Sequence, residues 1–392
     1  MRTGLHAKVL DGVNVDEVIR LTQQLVARPS VTGDEAAVAS FMAHVLQDMG
    51  LDVECKDAAP GRPNVVGTLA GPAGGRTLVM NGHMDVVPPG DGWTQDPFGG
   101  KLIDGRIYGR GAVDMKAGLA AMIGAVAAVQ RAGVALGGTA VLIGAVGEEL
   151  DQLGTRRLVE EGLRADFGIV CEPTLLAPAI AHKGDLHYEI RVRGRQAHSS
   201  NPKLGLNAID KMADIIVALR GLAVELARKH HPHLGSPTLS VGMIQGGTDT
   251  CVVPGDCVVS VDRRLLPNEA VEEADDEMRR LLARLSSADS DLDAHVRRTV
   301  TAPAMEISPE TAVAQAARRA STEVLGYDPG FTYKAGTTDA NWLVNAAGIP
   351  TVLLGPGNPA QAHQADEFVE TEQIWKASRV LALMMVDLLG TR

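Results

Sequence analysis

The sequence predicts an α/β protein with a mostly parallel central sheet and flanking helices, into which a smaller α+β domain is inserted. Three observations support this fold class. Apolar runs alternate with amphipathic helical segments over the first part of the chain, and several of these runs end directly in an acidic or imidazole side chain. Between residues 184 and 299 the pattern changes to alternating strands and two long helices. Ligands of α/β sheets collect beyond the carboxyl ends of the strands, so the strand ends are where we expect a site.

The first part of the chain supplies the strands of the expected sheet. Helical spacing of apolar residues predicts helices over residues 15–27 and up to about residue 49. Residues 88–100 are rich in Pro, Gly and Asp, which predicts a loop. The strands are predicted at residues 51–55, 64–69, 76–80, 139–146 and 167–171, with a further helix at 117–129.

The middle of the chain has a β-α-β-β-α-β order. Strands are predicted at residues 186–194, 239–245, 257–265 and 293–299, and helices at 206–229 and 269–285. This order is typical of the ferredoxin-like split unit. The chain then returns to the α/β pattern with a helix at 309–325, a strand at 351–354 and a helix at 370–389. We therefore predict a catalytic domain of residues 1–183 and 300–392 and an inserted domain of residues 184–299.

Composition limits the classes of protein that the chain can belong to. The 392 residues suggest two domains, and 45% hydrophobic residues with only 3% aromatics predict an aliphatic core. A formal net charge of -11 argues against a nucleic-acid binder and leaves carboxylates for cations. The four cysteines show no Cys-x-x-Cys pairing, which indicates reduced thiols in a cytoplasmic protein. The longest nearly uncharged region, residues 117–147, is interrupted before it reaches membrane-spanning length, so no membrane partner is expected.

Four candidate ligand positions follow predicted strands or the turns after them. His83 ends the run 78–80, and Glu149 and Glu172 follow two later runs, while Asp114 comes after a Gly-rich turn. Asp85 is placed to receive the second N–H of the His83 imidazole, which would fix its tautomer. Adjacent acids in an extended segment face opposite sides, so Glu149 can ligate a metal while Glu148 faces the substrate.

The segments Gly82-His83-Met84-Asp85 and Gly109-Arg110-Gly111-x-x-Asp114-Met115-Lys116 carry a family resemblance. They resemble the signature of the dinuclear zinc amidohydrolases that include aminoacylase, acetylornithine deacetylase, succinyl-diaminopimelate desuccinylase, glutamate carboxypeptidases and carnosinases. The resemblance extends over nearly the whole chain. It implies a zinc-exopeptidase-like catalytic domain, an inserted lid and dimerisation domain, and two divalent metal ions, zinc first with cobalt or manganese as alternatives.

The resemblance also assigns roles at the site. It implies that His83 and Glu172 hold one ion, that Glu149 and His363 hold the other, and that Asp114 bridges them. Glu148 matches the position of the general base, which takes a proton from a hydroxide-forming water between the two ions. In relatives the peptide bond after the bridging Asp is often cis, so we predict a cis bond between Asp114 and Met115.

Three further residues are assigned by motifs in and after the inserted domain. His198 lies in a segment that resembles Gly-x-x-Ala-His-Ser, whose His stabilises the oxyanion in the active site of the other subunit. Arg264 lies in Asp-x-Arg-x-x-Pro, where a bidentate clamp for a substrate carboxylate is expected. Thr337 is expected at the same end of the substrate. One position departs from the family pattern, since Cys251 stands where Asn is usual.

The function expected from these features is that of a cytoplasmic homodimer, joined through the inserted domain, that hydrolyses the amide bond of an N-acyl amino acid in the manner of a deacetylase or desuccinylase. One alternative is a dinuclear metallo-dipeptidase or carboxypeptidase that acts on small peptides. Another is a catalytically silent metal-binding scaffold. Hydrolysis by Cys171 as a nucleophile is a poor alternative, because no cationic partner lies near it in sequence.

Overall fold

The computed structural model describes residues 2–391 and divides them into two compact units. The first unit comprises the chain up to Ile180, Glu306–Tyr333 and the chain from Thr338 onward. The second unit comprises Ala181–Met305 and Lys334–Thr337. The limits predicted for the inserted domain, residues 184 and 299, lie within a few residues of the main segment of the second unit. As a statement about independent domains, the assignment stays a prediction.

The helices are long in the parts of the chain where apolar residues recur at helical spacing. Within residues 2–391 the α-helices are Arg2–Asp11 (α1), Val15–Val26 (α2), Ala36–Asp48 (α3), Ala117–Arg131 (α4), Leu153–Glu160 (α5), Ala208–Leu226 (α6), Val271–Ala288 (α7), Ala312–Leu325 (α8) and Thr371–Leu389 (α9).

The strands form three sheets. In the same part of the chain they are Asp52–Ala59 (β1), Arg62–Leu69 (β2), Thr77–His83 (β3), Lys101–Ile103 (β4), Arg106–Tyr108 (β5), Thr139–Ala145 (β6), Phe167–Val170 (β7), Ala179–His182 (β8), Gly184–Arg193 (β9), Thr238–Gly246 (β10), Asp256–Leu265 (β11), Asp293–Ala302 (β12), Met305–Glu306 (β13), Thr332–Lys334 (β14), Thr351–Leu353 (β15) and Phe368–Glu370 (β16).

The largest sheet has the strand order β1-β2-β6-β3-β7-β15-β8-β13, with β14 paired to β8. Its centre is parallel, because β3 pairs in parallel with both β6 and β7, and β7 pairs in parallel with β15. The predicted α/β class is therefore confirmed. Since parallel strands end at the same edge, His83 at the end of β3 lies near the ends of β6 and β7.

Helix α4 is the centre of the aliphatic core of the first unit. Every residue from Ala117 to Val129 is buried. The segment Ala112–Arg131 is apolar and long enough to cross a membrane, but 94% of its most apolar window is buried inside the protein, as in a core helix. Glycines allow its close packing: a Cβ on Gly118 would lie 2.1 Å from the carbonyl oxygen of Cys171, just beyond β7. The helix therefore presses directly on the strand end that presents Glu172.

The second unit contains a four-stranded antiparallel sheet of order β10-β11-β9-β12 with its own hydrophobic core. Along the chain its elements are β9, α6, β10, β11, α7 and β12. This is the predicted β-α-β-β-α-β order, and the two central strands are the first and third, as in a ferredoxin-like sheet. The side chain of Asn207 caps α6 by accepting hydrogen bonds from the N–H groups of Ile209 and Asp210 at 2.9 and 3.3 Å.

Some elements were not predicted from the sequence. These are the short strands β4, β5, β8, β13, β14 and β16, and the helices α1 and α5. Helix α1 has little amphipathic pattern of its own. His6 joins it to two other helices through Glu323 of α8 at 2.9 Å and Asp387 of α9 at 3.4 Å. Long-range contacts of this kind leave no local signal in the sequence.

Candidate active site

The site begins at the carboxyl end of β3, where His83 is 1% exposed. Its Nδ1–H donates to the backbone carbonyl of Asp85 at 2.9 Å. In the neutral imidazole this bond leaves a lone pair on Nε2. Nε2 faces Asp114 Oδ1 at 3.1 Å and Glu172 Oε1 at 3.6 Å. The structure thus brings three predicted ligands together, and we call His83, Asp114 and Glu172 the first metal group.

Asp114 faces a second set of side chains with its other oxygen. His363 Nε2 lies 3.5 Å from Asp114 Oδ2 and 3.1 Å from Glu149 Oε2. The backbone of His363 has φ +64°, in the left-handed region that few non-glycine residues adopt. We call Asp114, Glu149 and His363 the second metal group. The two groups coincide with the ligand sets that the resemblance implies, and the assignment of ions to them stays a prediction.

The turn after β6 presents the two adjacent acids. Glu148 Oε2 lies 3.9 Å from His83 Nε2, in the first metal group, whereas Glu149 faces His363. The two side chains therefore diverge as predicted, but they do so in a turn and not in the extended segment on which the prediction rested. Burial raises the pKa of both carboxyl groups, and nearby carboxylates raise it further. Bound cations would lower the pKa of both carboxyl groups, because a nearby positive charge favours the ionised form.

Asp85 has a different partner from the one predicted. Its carboxylate does not take the imidazole N–H of His83, because the backbone carbonyl of Asp85 is closer. Instead Oδ1 accepts from the N–H of Glu148 at 3.1 Å, and Oδ2 accepts from the N–H of Glu149 at 3.3 Å and from Thr32 Oγ1 at 2.8 Å. The carboxylate of Asp85 therefore positions the acidic turn, while its backbone carbonyl positions the imidazole.

Both metal groups have the donor chemistry of a divalent cation site. Glu149 Oε1 is buried and has no hydrogen-bond partner. Burying an unpaired carboxylate oxygen lowers the stability of the folded protein unless a cation lies beside it. Burial lowers the pKa of His83, but the hydrogen bond to Asp114 and the surrounding carboxylates outweigh this and raise it well above its usual value. A cation at Nε2 would replace that proton. Two imidazoles and three carboxylates are ligands that zinc, cobalt and manganese accept.

The peptide bond between Asp114 and Met115 is cis, which confirms the prediction. The backbone just before this bond is held by a residue that sequence reasoning missed. Glu367 is fully buried, and its Oε1 accepts from the N–H groups of Val113 at 2.9 Å and Asp114 at 3.1 Å. Its position four residues after His363 was the only local signal.

Asp339 is a second missed residue. It is 1% exposed, and its Oδ2 accepts a hydrogen bond from Thr155 Oγ1 at 2.7 Å. Thr155 Oγ1 in turn accepts from Asn81 Nδ2 at 2.7 Å, two residues before His83 on β3. Burial raises the pKa of Asp339 to about 7. In the sequence, the segment of Asp339 drew attention through Thr337 instead.

Arg264 lies on β11 in the second unit and already has two acidic neighbours. Its Nη2 is 2.7 Å from Asp262 Oδ2 and 3.1 Å from Asp185 Oδ2. His187 Nε2 lies 3.2 Å from Asp185 Oδ1. A substrate carboxylate would therefore meet a cation whose charge is already balanced. The clamp role of Arg264 stays a prediction.

The other predicted residues of the second unit are His198 and Thr337. His198 is exposed, and its Nδ1 accepts from the N–H of Ser200 at 3.1 Å. This bond places the ring proton on Nε2, where it can be donated to an oxyanion. Cys251 holds the neighbouring segment through its carbonyl, which accepts from the N–H of Ser199 at 2.9 Å. Thr337 is half-buried in the Lys334–Thr337 segment. The roles of His198 and Thr337 stay predictions.

Cys171 does not have the properties of a nucleophile. It is fully buried, and desolvation together with Glu172 raises the pKa of its thiol well above the usual range. A thiol of this kind is inert at neutral pH.

The comparisons with known proteins agree with this geometry. Residues 79–387 match the model of peptidase family M20/M25/M40. The chain is 30% identical, over an alignment of 400 residues that covers 93% of each chain, to an N-formyl-4-amino-5-aminomethyl-2-methylpyrimidine deformylase of Bacillus subtilis (strain 168). The chain therefore belongs to this peptidase family and is a hydrolytic enzyme.

Solved structures show the same fold. Aminopeptidase PepT of Bacillus cereus ATCC 10987 superposes with a TM-score of 0.79 at 26% identity, covering 96% of this chain and 99% of that one. A metallo-carboxypeptidase of Sulfolobus solfataricus gives a TM-score of 0.82 at 20% identity, covering 95% and 99% of the two chains. The second likeness concerns the fold alone.

Proposed function

We propose that the protein is a dinuclear metal-dependent hydrolase that cleaves the amide bond of an N-acyl amino acid, with Glu148 as the general base. The observation that supports this most strongly is the convergence of the two metal groups. Side chains from distant parts of the chain meet in the first unit, share Asp114, and have Glu148 beside them.

Two divalent ions held by the metal groups would lower the pKa of a water molecule toward about 7 and polarise the substrate carbonyl. The residues of the chain supply the remaining chemistry. The carboxylate of Glu148, held in place through the Asp85 bond to its backbone N–H, takes the proton of the attacking water. It then returns that proton to the leaving nitrogen. Among metals that suit this donor set we propose zinc, with cobalt or manganese as alternatives.

The acyl group is the least constrained part of the substrate. The Bacillus subtilis relative is named as a deformylase, so formyl joins acetyl and succinyl as candidate acyl groups. In this proposal Arg264 binds the free carboxylate of the amino acid, and Thr337 contacts the same end of the substrate.

A second candidate is a metallopeptidase that acts on small peptides, as a dipeptidase, aminopeptidase or carboxypeptidase. The observation that favours recognition of an amine is the pair of acids around Arg264, since Asp185 and Asp262 leave that position without excess positive charge. The structural relative at 26% identity is named as an aminopeptidase. A silent scaffold is not favoured, because the chain belongs to a family of hydrolases and retains Glu148 together with both metal groups.

We also propose a cytoplasmic homodimer formed through the second unit. Exposed apolar side chains support this, since Val217 and Val224 on α6 and Met243 and Ile244 on β10 are each more than half exposed. Strand β10 is an edge strand, and an open edge can pair with a second copy. In such a dimer His198 would act in the site of its partner.

Glu148→Gln tests the general base. We expect the variant to bind two metal ions and to lose at least about a thousandfold in kcat, because the amide cannot take a proton. Glu160→Gln, an exposed substitution on α5, is the control and should keep normal kcat. The substrates are N-formyl, N-acetyl and N-succinyl amino acids and free dipeptides. An active Glu148→Gln enzyme would contradict the assignment, and preferential turnover of free dipeptides would favour the peptidase.

A further inference from the structure

Glu367 connects the loop before Asp114 to the segment that carries His363. Besides the bonds to the N–H groups of Val113 and Asp114, the carboxylate of Glu367 accepts from Arg110 Nη1 through Oε2 at 2.5 Å. Glu367 is 0% exposed and Arg110 is 2% exposed. A buried carboxylate with three donors is held in a single orientation, and so are the groups that donate to it.

The backbone of Glu367 holds the same loop at its other end. The N–H of Gly109 donates to the carbonyl of Glu367 at 2.9 Å, and the next residue, Phe368, pairs with Tyr108 between β16 and β5. Arg110 extends the connection further, because its Nη2 donates to the carbonyl of Pro89 at 3.1 Å. The whole loop from Gly109 to Asp114 is thereby fixed relative to residues 363–367.

We propose that Glu367 is a positioning residue for the second metal group: it keeps Asp114 in register with His363 and so sets the affinity for the second metal ion. This inference rests on the proposed dinuclear function for the identity of the bound species. Glu367 is not one of the predicted metal ligands. Its side chain reaches the metal groups only through the backbone N–H of Asp114.

Two of the three ligands of the first metal group, His83 and Glu172, are held without Glu367. His83 and Glu172 follow β3 and β7, which pair directly, and the N–H of Cys171 donates to the carbonyl of Asn81 at 2.9 Å. These bonds belong to the central sheet and persist without Glu367. The strands therefore set the positions of His83 and Glu172, and Asp114 is the ligand of this group that Glu367 holds.

The second group lacks such support. The side chain of His363 is 52% exposed and lies between a single 3-10 turn, Pro359–Gln361, and β16. Asp366 fastens the segment to the neighbouring loop by accepting from the N–H of Thr94 at 2.8 Å. Glu367, the next residue, also bonds the backbone of Asp114. Loss of its charge would leave Arg110 buried without its carboxylate partner, which favours displacement of the loop.

Glu367→Gln tests this proposal with a readout that needs no substrate. The full-length protein is stripped of metal and titrated with Co²⁺. The heat of binding and the visible absorption of the bound Co²⁺ are recorded in parallel titrations. Wild type is expected to bind two equivalents. In Glu367→Gln the first equivalent should keep its affinity within about threefold, and the second should weaken by about 10- to 100-fold, the range found when outer partners of metal ligands are changed.

Glu269→Gln provides a matched control. Glu269 is also a buried carboxylate, 2.8 Å from a buried arginine, Arg263, but it lies in the second unit. This variant loses a comparable ion pair and should bind both equivalents like wild type.

Unchanged affinity and unchanged absorption for the second equivalent in Glu367→Gln would overturn the proposal, as would a wild-type protein that binds one ion only. If Glu367→Gln does not fold, Glu367→Asp takes its place, and the same weakening is expected because the shorter carboxylate cannot reach both the loop and Arg110. A wild type that binds two ions but hydrolyses no amide would remove the proposed function while leaving this inference intact.

Discussion

Asp85 and Glu367 show that the local sequence around a ligand does not reveal which groups hold it. Asp85 is two residues from His83, yet its carboxylate supports the turn that carries Glu148. Glu367 is separated from Asp114 by 253 positions and bonds its backbone. The ligands themselves were predictable because they follow apolar runs and match family motifs. Their supporting hydrogen bonds were not, since these depend on how distant segments pack.

At the same scale, His182 makes stability depend on pH. It is fully buried, and burial lowers its pKa to about 4, although the bond from Nδ1–H to the carbonyl of Lys183 at 2.7 Å opposes this. Above about pH 6.5 the imidazole is neutral in both the folded and unfolded states. Between about pH 6.5 and 4 only the unfolded state takes up the proton, so the free energy of unfolding should fall by up to about 3 kcal/mol.

His182→Gln cannot take up this proton. Urea unfolding followed by far-ultraviolet circular dichroism from pH 7 to pH 4 should therefore show a shallower loss of stability for the variant than for wild type. Parallel curves for the two proteins would contradict the assignment to His182.

At the scale of elements, the predictions succeeded where a pattern repeats over several turns or residues. Strand β3 and helix α4 follow from apolar runs of sufficient length, and α6 and α7 from helical spacing. The three-residue strands β4, β5 and β16 show neither a period nor the continuous apolar run that predicted β15. Helix α5 has eight residues between two turns, and its place is fixed by contacts that its own sequence does not show.

The packing of α4 against the end of β7 gives a prediction at this scale. In Gly118→Ala the new Cβ would clash with the carbonyl of Cys171, so we expect the free energy of unfolding to fall by about 1–3 kcal/mol. Because Glu172 follows that carbonyl directly, the affinity for the first metal ion should fall as well. Chemical denaturation and metal titration measure the two effects.

Gly221 in α6 is the matched control, because a Cβ there would meet nothing within 4 Å. Gly221→Ala should raise the free energy of unfolding by about 0.5–1 kcal/mol through helix propensity. Equal effects of the two substitutions would mean that propensity, and not close approach, governs Gly118.

For the whole molecule, metal removal should change stability as well as activity. Without cations, the carboxylates of the two metal groups repel one another, and their burial already raises the pKa of Glu149. Ions that bind only the folded protein stabilise it by about 2.7 kcal/mol at a concentration one hundred times Kd. Calorimetry should show a higher Tm with zinc than after chelation, and a smaller difference for Glu149→Gln. An equal Tm with and without metal would contradict the metal assignment.

The proposed homodimer gives a second prediction at this scale. Val217 and Val224 are both exposed on α6, and a charge at both positions would oppose burial in an interface. The double variant Val217→Glu and Val224→Glu should sediment as a monomer, whereas Tyr327→Glu, an exposed position in the first unit, should sediment like wild type. A monomeric wild type would remove the proposal and with it the role of His198 in the partner's site.

The scarcity of aromatic residues has a practical consequence for such measurements. The three tryptophans, Trp93, Trp342 and Trp375, all belong to the first unit. Emission excited at the red edge of the indole band therefore reports on that unit alone, and the ferredoxin-like unit is optically silent at this wavelength. A mismatch between indole emission and circular dichroism during denaturation would reveal whether the two units melt as one cooperative body or in succession.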